Sequence, residues 1–266
     1  MAAPTGSRSE RRSKKDRIIK KSRRNKIAMW VMGAVVLIAL ALTAVAALNI
    51  SGIMKQANDT DAPAQAHAAQ VRDSVQARLD AGREAESADR VAIETTEAPL
   101  PSPDEAEAGE EFGLISSPWF GTQPVAKSFV DSAQETQALI DTGVVAAYDS
   151  RENPGEIGNF VVTGHRITHG SVFNQAVYLS IGDEVKVETS EGTFTYEVIQ
   201  EAYRTNPDDN SMLDSNPLGK EANVDRALMT LITCGEWMTD HREIIVLELV
   251  ESEESEESEG SGNVEG

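Results

Sequence analysis

Among its 266 residues the chain has a single cysteine, Cys234, so it cannot close an internal disulfide even in a compartment that would permit one. That thiol is either a small buried hydrophobe or a reactive group. Histidine is also scarce, with four in the chain, and this leaves few partners that could activate a thiol. Positive charge is nearly confined to one end. Residues 1–26 carry eleven Lys or Arg against Glu10 and Asp16, a local +9, so a formal total of −20 leaves −29 for the rest. So acidic a body excludes a nucleic-acid partner, because phosphate binding needs clustered cations.

Ionisable side chains are missing altogether between Ile27 and Ile53, where the sequence reads IAMWVMGAVVLIALALTAVAALNISGI. The run is long enough to cross a hydrocarbon core of roughly 30 Å and predicts one transmembrane helix over 27–53. A cleaved signal peptide has a shorter apolar region of about 7–15 residues, although Ala46-Ala47 imitates a cleavage site. The basic head at 1–26 predicts a cytoplasmic N-terminus and places the remainder outside the cell.

Residues 54–111 are rich in Ala, Gln, Asp and Glu and poor in aromatics, and they close on Pro99, Pro101 and Pro103. They read as an acidic extracytoplasmic linker or stalk. Within them Val71, Val75 and Leu79 fall four apart, which allows a helix with one apolar stripe or equally a solvated segment. Residues 251–266 hold seven Glu and no basic residue and predict a disordered acidic tail. The folded domain is expected over 112–250.

That domain reads mainly as strands. GLISSPWF, GNFVVTGH, DEVKVET, TFTYEVIQEAY, RALMTLITC and EIIVLELV are rich in Val, Ile, Thr and aromatics and are separated by turn residues, as in an all-β barrel or sandwich. The alternation from Asp183 to Thr189, a turn at Glu191-Gly192 and the run from Thr193 to Tyr203 predict a hairpin. One short helix is expected over 132–141, with a capping box of Ser132 and Glu135 at its start and Gly143 at its end.

A thiol becomes a strong nucleophile when a cationic or basic neighbour favours the thiolate. His67 lies in the stalk. His165 and His169 lie in TGHRITHG, just past an apolar strand, and His241 follows Cys234 in a loop. Cys234 itself ends the run ALMTLITC and is followed by Gly235, which puts its thiol at a sheet rim. Arg242 precedes the apolar strand EIIVLEL, and a returning strand would bring its guanidinium to the same rim, where it can hold a carbonyl or an oxyanion. A frame shifted by one residue would put Glu243 there instead. The long, turn-rich loop from Asn206 to Ala222 reads as a substrate-binding or solvated loop, and its Asp residues are also candidate calcium ligands.

These residues resemble a known family, the sortases of Gram-positive bacteria. TLITC, from Thr230 to Cys234, matches the family's TLxTC signature. TGHRITHG resembles the segment around the family's catalytic histidine, with His165 in the catalytic place. FNQAVYLSIGDEVKVET is similar to the family's F-x-x-L-x-x-L-x-x-GD-x-V-x-V region, and GLISSPWFGTQPV and PGEIGNFVVTGH resemble its first strand and the lead into the histidine. The resemblance implies a mainly-β fold, a closed eight-stranded barrel with short helices preceded by one transmembrane helix. It implies a cysteine transpeptidase in which Cys234 is the nucleophile, His165 the general acid and base, and Arg242 the oxyanion and substrate stabiliser, with Thr233, Thr168 and His169 beside the substrate. The implied partners are surface proteins bearing an LPxTG-like sorting signal and an amine from a cell-wall precursor or a pilin. The THG after His165 resembles the actinobacterial class E branch, whose signals tend toward LAxTG. No metal or organic cofactor is demanded by these steps. A pilin-polymerising role, a hydrolytic cysteine protease and a non-catalytic membrane-tethered binding module with Cys234 as packing are the alternatives.

Overall fold

The structure, a computed structural model, describes residues 61–85, 98–149, 151–206, 208–219, 225–235 and 241–254. The apolar run at 27–53 lies outside them, and no helix among the described residues is long and apolar enough to cross a membrane.

Eight strands close a barrel. In chain order they are β1 (Glu111–Ser117), β2 (Gly121–Lys127), β3 (Val145–Ala147), β4 (Gly158–Thr163), β5 (Glu184–Thr189), β6 (Gly192–Thr205), β7 (Ala227–Cys234) and β8 (Arg242–Glu254). Around the barrel they run β1-β2-β3-β4-β7-β8-β6-β5, with β2/β3 and β4/β7 parallel and the other pairs antiparallel. Closure leaves no unpaired edge, and alternate residues of each strand fill the interior. Ile115, Val125, Phe160, Val162, Val185, Val187, Met229, Leu231, Ile245 and Leu247 meet there in one buried cluster. The predicted hairpin is β5/β6, with Thr189 opposite Gly192 across the turn.

Where apolar residues run consecutively, both faces of the strand are covered. Ile244, Ile245, Val246 and Leu247 of β8 are all fully buried. Ile245 and Leu247 point inward, whereas Ile244 and Val246 pack outside with Val161, Ile232 and Met212. Met212 belongs to the loop over 208–219, which is fixed to the wall by Asn159 of β4. Asn159 is fully buried, its Nδ2 donates to the carbonyls of Met212 (3.0 Å) and Asp214 (2.9 Å), and its Oδ1 accepts from Thr230 Oγ1 at 2.7 Å. A buried amide needs such a full set of partners.

β8 extends beyond Val250. Residues 251–254, expected to begin the acidic tail, pair instead with Gly192 to Thr195 of β6. The backbone groups of the long β6 need a partner on that side, and pairing there outweighs the poor strand preference of Glu and Ser.

Of the two readings open for the segment before the barrel, residues 61–85 adopt the helical one, here α1. Its apolar stripe is covered. Val75 and Leu79 are 1% and 4% exposed and pack with Leu100 and with Leu114 on the outer face of β1, while Val71 lies against them. Arg78 donates to the carbonyls of Ala98 and Pro99, and Arg83 pairs with Glu188 of β5 at 2.7 Å. Burying one apolar stripe of this size stabilises α1 through packing, since a lone helix of its length is marginal in water.

Truncating Leu79 to Ala is expected to lower the unfolding free energy by about 2 kcal/mol or more, the usual cost of emptying a buried leucine site. Urea denaturation followed by tryptophan fluorescence measures it. A free stalk would give no change.

Candidate active site

Three neighbouring strands bring their chemistry to one rim. β4 and β7 run parallel with Thr163 opposite Ile232, so Gly164-His165, just past the end of β4, and Thr233-Cys234, the last two residues of β7, reach the same rim. Gly164 N–H donates to the Ile232 carbonyl at 3.3 Å, and Thr233 Oγ1 donates to the Gly164 carbonyl at 2.9 Å. β8 returns antiparallel to β7 with Arg242 directly opposite Cys234.

The alternation of strand side chains settles which β8 residue faces the thiol. Cys234 and Arg242 share the outer face, and Arg242 Nη1 lies 3.7 Å from the exposed Cys234 Sγ. Glu243 faces the other way, 5% exposed, and accepts from Arg204 Nε at 2.9 Å. Gly235 N–H donates to the His241 carbonyl, and the His241 side chain is exposed.

Cys234, Arg242 and His165 line one cleft of about 390 Å³, together with Gln137, Tyr148 and Leu213 among others. α2 (Ala133–Ile140) forms one wall. Ser132 caps it by accepting from Glu135 N–H, and it stops before Gly143, whose φ of +87° suits glycine. A Cβ at Gly143 would also stand 2.6 Å from the Ala64 carbonyl of α1. Asp141, the residue that ends α2, thus stands beside the β4 loop. Its Oδ1 lies 2.6 Å from His165 Nε2 and accepts from Gln137 Nε2 at 2.8 Å. Gln137 Nε2 and His165 Nε2, 3.3 Å apart, are two donors sharing that oxygen.

His169 stacks on His165, ring centroids 4.8 Å apart, with its Nδ1 3.9 Å from Asp141 Oδ1 and 3.1 Å from Thr168 Oγ1. It is held there by an unusual turn. His169 and Ser171 both have φ of +52°, a region that side chains rarely enter, and Asp61 of α1 fixes the turn by accepting from Gly170 N–H (2.9 Å) and Ser171 Oγ. Thr168 and His169 stand behind His165, on the Asp141 side, and are not among the residues that line the cleft. Thr233 is 1% exposed, and its hydroxyl is turned inward to Gly164. Thr233 nonetheless lines the cleft beside Cys234, as expected of a residue near substrate, whereas Thr168 and His169 do not line it. Asp141 and Gln137 went unremarked in the sequence. Their spacing of four on a capped helix was the available signal.

Burial pushes the His165 imidazole below its ordinary range, against the opposing pull of Asp141. Burial pulls Asp141 up, but the hydrogen bonds from His165 and Gln137 outweigh it and hold its carboxyl below the usual carboxylate range. Tyr148 is pushed up by burial in the same cleft, partly offset by Arg242. Asp141, His165 and His169 are also the group among the described residues whose donor atoms lie close enough to share a metal ion, within 4.8 Å of one another. In the 208–219 loop the Asp209 carboxylate is already engaged by Ser211 and Thr205.

A nucleophile, an imidazole and a fixed cation on one cleft suit acyl transfer, and the family comparison agrees. A family model described as the sortase domain matches residues 120–250. Residues 120–250 are thus similar to the sortase domain. Sortase SrtE1 of Streptomyces coelicolor is 30% identical over 157 residues, which are 56% of this chain and 43% of that protein. The chain therefore spans less than half the length of that curated relative. Among solved structures, sortase E from Streptomyces avermitilis is 28% identical, with a TM-score of 0.48 and coverage of 56% of this chain and 93% of that one. A Clostridium perfringens sortase D5 transpeptidase, 23% identical, superposes with a TM-score of 0.51 over 70% of this chain and 99% of that one, a likeness of fold.

Because the folded state holds His165 below its ordinary value of 6.5, the unfolded chain binds the proton first as pH falls. The stability that comes from keeping it neutral is complete above that value and is lost on descending through it toward the depressed folded value. Denaturation midpoints are expected to drop between pH 7.5 and 5 in the native chain and to drop less in His165→Gln.

Proposed function

We propose that the chain is a cysteine transpeptidase that cuts a sorting signal of the LPxTG or LAxTG kind between threonine and glycine and passes the new carboxyl end to an amine. The observation that carries this reading is the register that sets Arg242 against the Cys234 thiol on a cleft that His165 also lines.

In this reading the Cys234 thiolate adds to the threonine carbonyl, and the C=O electron pair moves onto oxygen. The Arg242 guanidinium, a permanent cation with several N–H donors, stabilises that oxyanion. When the C–N bond breaks, its electron pair stays on the glycine nitrogen, which takes a proton from His165, and the carbonyl re-forms as a thioester. An incoming amine then adds to the same carbon, gives its proton to His165 and expels the thiolate. Each proton lent by His165 is thus returned, and the thiol ends as it began.

The finer assignments follow from the sequence. The THG beside His165 supports a class E-like enzyme with a leaning toward LAxTG. The apolar run at 27–53 with the basic head at 1–26 supports a single-pass anchor with the catalytic domain outside the cell. The partners in this reading are secreted proteins carrying the signal and an amine of a cell-wall precursor. A pilin lysine would take the same chemical place.

Incubating the full chain in detergent with fluorescent LPxTG and LAxTG peptides and a glycine amine is expected to give amide product through a Cys234-linked thioester trapped by mass spectrometry. Cys234→Ala gives neither. A native-like chain that forms no thioester with any peptide overturns the reading, and hydrolysis at saturating amine marks a protease. Arg242→Ala is expected to lower kcat by about 10²–10³-fold, the usual cost of an oxyanion donor, with a smaller effect on KM.

A further inference from the structure

Within the transpeptidase reading, on which this step rests, we propose that Asp141 is a positioning residue for His165: its carboxylate keeps the proton on Nε2 and thereby makes Nδ1 the nitrogen that gives and takes the proton of the amine. The geometry is specific. A carboxylate can only accept, so the 2.6 Å contact between Asp141 Oδ1 and His165 Nε2 requires an N–H at Nε2. The neutral imidazole then carries its lone pair on Nδ1. Gln137 makes the choice firmer. It donates 2.8 Å to the same Oδ1, and its amide nitrogen 3.3 Å from Nε2 would meet an unprotonated Nε2 only by giving up Asp141.

Asp141 is itself held by structure unrelated to the reaction. Its backbone N–H ends α2 by donating to the Gln137 carbonyl at 3.0 Å, and the chain then turns at Gly143, against Ala64 of α1. The Asp141 carboxylate has no part in capping α2. It is free to act on His165. The imidazole in turn is 13% exposed at its side chain and backed by the His169 ring, so it has little room to swing off the carboxylate.

The proton account is complete without any further reactant. The Cys234 thiol first gives its proton to Nδ1 and becomes the attacking thiolate; on breakdown of the first adduct, Nδ1–H passes that proton to the leaving glycine nitrogen, and the imidazole left behind still has Nε2–H on Asp141. On attack by the second amine, Nδ1 takes one proton, and the resulting imidazolium still donates to Asp141 through Nε2. Asp141 stays ionised throughout, stabilising the imidazolium more than the neutral ring. The charged and titratable groups around His165 are Asp141 from α2, His169 from its own loop, Asp61 from α1, and Cys234, Arg242 and Tyr148 across the cleft. Of these, Asp141 alone is hydrogen-bonded to the imidazole among the described residues.

The test uses the full chain labelled with ¹⁵N-histidine, which has four imidazoles to assign. The native protein above the His165 titration is expected to show the Nε2–H tautomer, and Asp141→Asn to lose that preference. In the peptide assay Asp141→Asn is expected to lower kcat by about tenfold or more with KM within about twofold, and to move the limb of the pH profile that titrates with His165 to lower pH. Asp141→Glu, which keeps the charge, recovers part of both. An Nδ1–H tautomer in the native protein overturns the proposal. So does an unmoved limb in Asp141→Asn, whether or not kcat falls, because a loss of rate alone reports only damaged structure. Absence of any Cys234-linked thioester in the native enzyme is a different result: it removes the transpeptidase reading, and the tautomer measurement still decides the role of Asp141.

Discussion

The candidate active site of this molecule depends on the ladder through β4, β7 and β8. Parallel pairing of β4 with β7 makes two chain segments far apart in sequence leave the sheet at the same height, and antiparallel pairing of β7 with β8 brings a third back to it. Because side chains alternate strictly along a strand, the thiol and the guanidinium meet only in this register. A slip of one residue would present Glu243 to the thiol, and its negative charge would oppose both a thiolate and an oxyanion. Ile244 and Val246 on one face and Ile245 and Leu247 on the other, all buried, fix that register by packing, so the chemistry inherits its precision from the core.

Much of this could be read before any coordinates. The strand runs, the β5/β6 hairpin and the Ser132 cap are local patterns, and local patterns survive folding. Cys234 and His165 were legible because one ends an apolar strand and the other lies two residues past one. What escaped was tertiary. The α2 sequence records a helix and its cap, but nothing in it says that Gln137 and Asp141 face a histidine from another element. The acidic alternation after Val250 suggested a solvated tail, and only the length of β6 explains why its first four residues become strand. For α1 the stripe of Val71, Val75 and Leu79 was visible but lacked a partner. The adjacent Leu114 and Ile115 in β1 held the missing half, since two neighbouring apolar residues in one strand require a cover on each face.

The site also illustrates opposing effects on a single imidazole. Burial disfavours charge on His165, and the carboxylate beside it favours charge, with burial the larger of the two. An imidazole poised between these pulls changes its protonation readily as the reacting groups around it change theirs.

The packing of α1 has a consequence for where the domain begins. Leu114 is fully buried although it sits on the outside of the barrel, because Val75, Leu79 and Leu100 lie over it. A chain cut back to the first strand would bare that oily face to water and would also release the Asp61 clamp on the turn carrying His169. The eight strands are thus an incomplete folding unit. For anyone trimming the protein for expression, the safe boundary lies ahead of the helix, and a soluble yield lost on shortening would reflect uncovered surface rather than a broken barrel.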